Sequence, residues 1–277
     1  MKQILCLFAL AFSVTVNAQE IKLNKGQKIT ISSNITQDVD MGVAQVKNTT
    51  NATSIVEVKD ADGKNYSTVY KMTKFAMSAN AMGQEQNYDS EKPEDKDSEI
   101  GKSIGDKINK EIKVSVDKKT GKAISEIKES PEKSEDAGEN PFAGMMDMIG
   151  AGNEETAVTE SAFFLIPAGK KVGDSWTDSV KVKDAMTGFK TYTIKAITAN
   201  ETVVSVFSKM DGKQNVDLQG MQVDIALSAK TEGEFLVDTK TSIMKKSSRV
   251  ADITGNMDMM GQSLPLTAKM TEITTYN

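Results

Sequence analysis

The chain has 277 residues, a formal charge of -5, and 34 basic residues against 39 acidic ones. Histidine is absent and Cys6 is the single cysteine, which excludes the imidazole proton shuttle, the Ser-His and Cys-His nucleophile pairs and nearly all zinc chemistry. Arg249 is the one arginine and no basic block occurs, so nucleic acid is not an expected partner.

Residues 1–18 read as a signal peptide. Lys2 precedes an apolar run from Ile4 to Val16, and Val16-Asn17-Ala18 suits signal peptidase. The run is shorter than the about 20 residues that span a bilayer, and no later segment approaches it, so no transmembrane segment is expected. Cys6 lies inside the run and not beside Gln19, which argues against a lipid anchor. The expected product is exported, periplasmic or secreted, and leaves its only thiol behind.

In chain order, a first β unit is expected over 19–127. Its strands are Lys28 to Asp38, then Ser54 to Lys59 and Tyr66 to Phe75 across a hairpin at Asp60-Ala61-Asp62-Gly63. A helical insertion near 97–109 follows, with Ile100, Ile104 and Ile108 on one stripe and Asp97 or Ser98 as cap. Ile112, Val114 and Val116 then alternate with Lys113, Ser115 and Asp117, which describes a half-buried strand closed by the turn Lys118 to Gly121. Residues 128–160 are Ser/Glu-rich and acidic and read as a linker. Inside it a short Met-rich helix, 141–150, carries Phe142, Met145, Met146 and Ile149 at helical spacing, with Asn140 as cap and Gly150 as stop.

A second β unit is expected over 161–277, with strands Lys190 to Ala199, Thr202 to Lys209, Val223 to Lys230, Gly233 to Asp238 and Ser247 to Ile253. Its Val237-Asp238-Thr239-Lys240-Thr241-Ser242 echoes Val116-Asp117-Lys118-Lys119-Thr120-Gly121 of the first. Glycine-methionine turns recur as well, at Met82-Gly83, Gly220-Met221 and Met260-Gly261. Two related β units explain the echo; chance recurrence of lysine-threonine turns is the competing explanation. The expected fold class is mainly β with a few short helices, a curved antiparallel sheet or open half-barrel.

The block Phe163-Phe164-Leu165-Ile166-Pro167-Ala168-Gly169-Lys170-Lys171-Val172-Gly173-Asp174-Ser175-Trp176 resembles the entry motif of an uncharacterised family of exported proteins from Gram-negative, Bacteroidota-like bacteria. The glycine-methionine hairpins and the turn at 116–121 resemble it too. More distantly, such proteins are similar to open-barrel periplasmic carriers of the lipoprotein-carrier (LolA) type. That resemblance implies a curved sheet around an apolar hollow covered by helices, and it transfers no catalytic residues. The Met-rich stretch between 128 and 160 departs from the family pattern.

Sixteen methionines admit three readings: core packing, an adaptable lining for an apolar ligand, or thioether ligation of Cu(I). The helix at 141–150 reads as packing, a lid or a partner contact, and Trp176 as a core anchor or a ligand platform. Asp60 to Gly63 has part of the spacing of a calcium loop, but a tight turn accounts for it. Without a catalytic constellation, the expected function is non-enzymatic: binding of an apolar ligand, a lipid or acyl chain, in the concavity of the sheet, with Phe142, Met145, Met146, Ile149 and Trp176 as candidate contacts and no cofactor or metal. A structural or protein-interaction module of the cell envelope is the alternative, and a carboxylate-based hydrolase the third. The expected partners are thus an apolar small molecule or an envelope protein.

Overall fold

The computed structural model describes residues 20–42, 44–81, 83–125, 154–182, 186–218, 221–259 and 262–277. The expected signal peptide and the helix at 141–150, with Phe142, Met145, Met146 and Ile149, lie outside the described residues. Twelve strands form one antiparallel sheet: β1 (Lys28–Asp40), β2 (Gln45–Ala61), β3 (Asn65–Ala81), β4 (Gln84–Asp89), β5 (Ile112–Asp117), β6 (Ala123–Ser125), β7 (Ser175–Val182), β8 (Met186–Ile197), β9 (Glu201–Leu218), β10 (Met221–Asp238), β11 (Met244–Met259) and β12 (Gln262–Tyr276). The order across the sheet is β6-β5-β3-β2-β1-β12-β11-β10-β9-β8-β7, and β4 pairs with the far half of β3. The chain meanders one way from β1 to β6 and the other way from β7 to β12, and the pairing of β1 with β12 joins the two runs into a single sheet. The sheet is open and does not close into a barrel. Two short helices, α1 (Glu99–Ile104) and α2 (Glu154–Ser161), flank it, and among the described residues no helix is long and apolar enough to cross a membrane.

Side-chain alternation sets the faces. In β1, Ile29, Ile31 and Val39 are buried while Asn34, Thr36 and Asp38 are exposed, as expected where one face is sheltered and the other meets water. One end of the sheet, here the base, holds the main core: Ile29, Ile31, Val56, Val58, Tyr66, Tyr70, Val114, Val116 and Val237. It is closed from above by Ile21 and Leu23 of the leading segment and by Ala162 and Phe163 after α2. Bending comes from two devices. Register shifts interrupt β2 against β3, β8 against β9 and β10 against β11, and glycines at 188, 233 and 255 sit on the inward face with a neighbouring strand's carbonyl where a Cβ would be.

Several elements differ from the sequence reading. Val223 to Lys230 and Gly233 to Asp238 are one strand, because Gly233 is in-register with Arg249 and Val206 and does not interrupt the ladder. β2 begins at Gln45, nine residues before the expected Ser54, because Asn48 and Thr50 take buried inward positions that polar side chains disguise. β12 runs over 15 residues although its alternation is disguised, since its inward phase includes Glu272 and Thr274 and its outward phase exposes Ile273. α2 occupies part of the expected linker: Thr159 is buried, Val158 packs on the core, and the Glu160 carboxylate accepts the Ala123 N–H at 2.7 Å, so docking and not helical periodicity orders it. The insertion is α-helical over 99–104, with Ser98 accepting the Gly101 N–H as cap, and is flanked by 3-10 turns at 93–97 and 105–107.

The echoed turns are built alike. Asp117 Oδ1 accepts the N–H groups of Lys119 and Thr120 and the Thr120 hydroxyl, at 2.8–3.0 Å. Asp238 Oδ1 accepts the same three donors from Lys240 and Thr241, at 2.9–3.0 Å. Each turn ends on a left-handed residue, Gly121 at φ 70° and Ser242 at φ 63°. The leading segment ties the two together, Ile21 N–H to the Lys118 carbonyl and Lys22 N–H to the Thr241 carbonyl. The Thr120 hydroxyl and backbone donors hold the Asp117 carboxyl below its ordinary value. At Asp238 burial pushes upward, but the Thr241 and Lys240 donors and Lys245 outweigh it and the net shift is downward. Depressed native values mean that stability is present above the unfolded carboxylate range of about 4 and is lost as pH falls through the native values. An Asp117→Asn/Asp238→Asn variant is therefore expected to unfold at a lower temperature than wild type near neutrality and to converge with it in acid. A constant gap from pH ~7 to ~2 in thermal scans would show that these charges contribute nothing.

Candidate functional site

Following the register across the strands assembles the inward face as rows of side chains. Above the base core lies an aromatic floor. Phe164 is positioned by its N–H on the Ser242 carbonyl and by Met244 N–H on the Ala162 carbonyl, so the segment after α2 lies against the starts of β7 and β11. Its ring meets Tyr192 at 5.1 Å and Phe235 at 5.2 Å, both edge-on, and Trp176 at 6.2 Å. Trp176 stacks on Tyr192 at 5.2 Å and 28°. The sequence reading of Trp176 as core anchor or ligand platform thus resolves into a partly buried member of this floor.

A polar band crosses the face beyond the floor. Asp178, Lys190, Ser208, Thr231, Ala251 and Met270 are successive partners across β7 to β12. One step nearer the base, Gly233, Arg249 and Glu272 are partners in the same way. Arg249 Nη2 donates to both carboxylate oxygens of Glu272 at 2.6 Å, and the Thr274 hydroxyl donates to Oε1 at 3.2 Å. Gly233 leaves room for the arginine stem, since a Cβ there would lie 2.9 Å from Arg249 Cγ. Burial, then the positive charge of Arg249, push the Lys190 ammonium below its ordinary value, and Asp178 only partly offsets them. The Tyr192 and Tyr276 hydroxyls are pushed up, chiefly by burial.

Toward the far end the inward face becomes apolar again. Val223 and Ile225 of β10 and Met257 of β11 are buried against Leu227 and Leu264, and among the described residues the members of that cluster come from the sheet itself. Between it and the polar band stand Met210, Ala229, Ile253 and Ala268, partners along one row.

A shallow depression of about 640 Å³ also marks the far half. Of its nine lining residues, Asp211, Lys213, Ala226, Ser228, Thr254 and Asn256 alternate onto the outer face and Gly212, Leu227 and Gly255 onto the inward one.

The other candidates fall as follows. Met72 and Met244 are core residues of the base and Met257 belongs to the far cluster. Asp60 to Gly63 forms the hairpin: Asp62 Oδ1 caps Lys64 and Asn65 at 2.6 Å and Asp60 faces Lys25 at 3.4 Å. Among inward carboxylates, Asp178 and Glu272 stand five strand spacings apart, and Glu272 is committed to Arg249. Lys190, Ser208, Arg249 and Glu272 were not picked out from sequence. A signal existed: in Gly188 to Ile194 and Ser247 to Ile253 the lysine and the arginine occupy the phase of the buried residues, where long charged side chains are rare.

The chain belongs to the family of unknown function DUF6263, whose profile matches residues 63–244. No curated protein matches it. Its fold is similar to part of lipovitellin, from a structure described as lipid-protein interactions in lipovitellin, with a TM-score of 0.50, 9% identity, and 92% of this chain covered. The chain spans 25% of that protein's length. Looser overlaps join it to the Pseudomonas aeruginosa channel OccK5 (OpdH), with TM-score 0.26, 6% identity and coverage of 92% and 99%, and to the COG4313 outer membrane channel of Pseudomonas putida F1, with TM-score 0.21, 6% identity and coverage of 93% and 98%.

Proposed function

We propose that this DUF6263 member is a non-enzymatic, exported protein that holds an apolar ligand, a lipid or acyl chain, against the inward face of its open sheet, in the manner of a LolA-type carrier. The carrying observation is the far apolar cluster of Val223, Ile225, Leu227, Met257 and Leu264, whose members among the described residues all come from the inward face of the sheet. Such a surface, concave and mostly apolar with a few convergent polar groups, is the kind small ligands occupy. The fold-level likeness to lipovitellin supports the reading by analogy of architecture. An interaction module of the cell envelope is the second reading, favoured by β7, an edge strand of eight residues whose outer backbone has no partner strand among the described residues.

Delipidated protein titrated with an environment-sensitive fluorescent fatty acid is expected to show saturable, stoichiometric enhancement, competed by unlabelled acyl chains. Absence of saturation across fatty acids, phospholipids and sterols would remove the ligand-holding reading in favour of the interaction module.

A further inference from the structure

The polar band contains buried polar groups without a hydrogen-bond partner among the described residues. Among the described residues Lys190 makes no hydrogen bond and no ion pair within 4 Å, although it is partly buried on the inward face of β8. Ser208, its partner across β8 and β9, is 3% exposed and its hydroxyl has no hydrogen-bond partner. Arg249 Nε is likewise buried and unpartnered, while Nη2 serves Glu272. Buried polar groups left unfilled are rare and call for an explanation.

Their placement supplies one. Lys190 and Ser208 share one row, and Arg249 stands one row nearer the base. On β10, between Arg249 and the strands bearing the other two, Gly233 contributes no side chain, and the next inward residue of β8 after Lys190 is Gly188. Gly188 leaves bare backbone beside Lys190 and Ser208, while the space over Gly233 takes the Arg249 stem. Beneath them is the aromatic floor and beyond them the row of Met210 and Ala229 that leads to the far cluster.

Resting on the apolar-ligand reading, we propose that Lys190, Ser208 and Arg249 receive the carboxylate head of a long-chain acyl anion whose tail lies along the inward apolar rows. The Lys190 ammonium, the Ser208 hydroxyl and Arg249 Nε are all donors, matching a carboxylate that accepts at both oxygens. The carboxylates facing the site limit the head to one charge. Asp178 flanks Lys190 and Glu272 is paired with Arg249, so a doubly charged phosphate would meet two like charges. Tyr192 and Tyr276, the other titratable groups facing the band, stay neutral at physiological pH because burial holds their hydroxyls above the ordinary value. The depressed Lys190 ammonium agrees with this arrangement, since a cation deprived of water and set near a second cation gains most from an arriving anion.

The test compares hexadecanoate, hexadecan-1-ol and hexadecyl phosphate on delipidated protein by calorimetric titration. Wild type is expected to prefer hexadecanoate to the alcohol by about tenfold or more. Lys190→Met is expected to erase that preference while changing alcohol affinity by less than about twofold, because the stem is retained. Ser208→Ala, a smaller change, is expected to weaken hexadecanoate by a few fold and to leave the alcohol alone, which keeps the test decisive if Lys190→Met fails to fold. Equal wild-type affinity for acid and alcohol would overturn the head-group assignment and leave the apolar-ligand reading standing. Tightest binding of hexadecyl phosphate would overturn the single-charge assignment. Binding of none of the three would overturn both readings together.

Discussion

Gly188→Ala is expected to lower the unfolding free energy by about 3 kcal/mol or more. Gly188 faces inward on β8 opposite Met210. A Cβ there would fall on the carbonyl oxygen of Lys209, and 2.7 Å from Met210 Cα. Both obstacles are backbone, so no side-chain rotation relieves the overlap. Either β8 separates from β9 at this point, forfeiting ladder hydrogen bonds, or the bend that glycine permits is flattened. Gly63→Ala is the matched control. Its added Cβ would meet nothing within 4 Å, and its change is expected to stay within about 0.5 kcal/mol. Urea unfolding of both variants checks the contrast, and equal stabilities would mean that close strand approach does not shape the sheet.

The second large effect concerns Arg249 and Glu272. Their side chains are 35% and 14% exposed, and the pair joins β11 to β12 across the inward face. Glu272→Ala leaves a partly buried guanidinium without its counter-ion. A cost of about 2–3 kcal/mol is expected, below the 3–5 of a fully buried pair because water reaches the arginine. Arg249→Met/Glu272→Met removes both charges and keeps volume, and is expected to recover most of the loss. A double variant no better than the sum of its singles would show that the pair is not coupled. The same double variant is expected to weaken hexadecanoate, since one of the proposed donors goes with it.

Local rules carried much of the fold. The Asp60 to Gly63 hairpin, the Ser98 cap and the alternating strand at Ile112 to Val116 all follow from short-range chemistry, and each stands where that chemistry puts it. Where global packing overrode local preference, the sequence misled. Gly233 reads as the start of a strand, yet it lies inside β10, where it is needed for the arginine stem to cross. Pro265 argues against a strand, but β1 pairs β12 only from Thr267 onward, so the missing N–H at 265 falls where no second neighbour asks for it. Glu272 and Lys190 break the polar-out pattern because they belong to the polar band. The site was therefore least legible where it departs from the rule that identifies strands, and Trp176 alone of the sequence candidates falls among the described residues on the inward face.

The most direct test is photolabelling. A diazirine-bearing fatty acid should be bound to the intact protein, irradiated, and the adducts mapped by peptide mass spectrometry. The account predicts adducts on inward residues of β10 to β12, namely Ile225, Leu227, Met257, Leu264 and Leu266, competed by hexadecanoate. Adducts on the outer face, at Asp211, Ser228 or Asn256, or labelling scattered without competition, would contradict it.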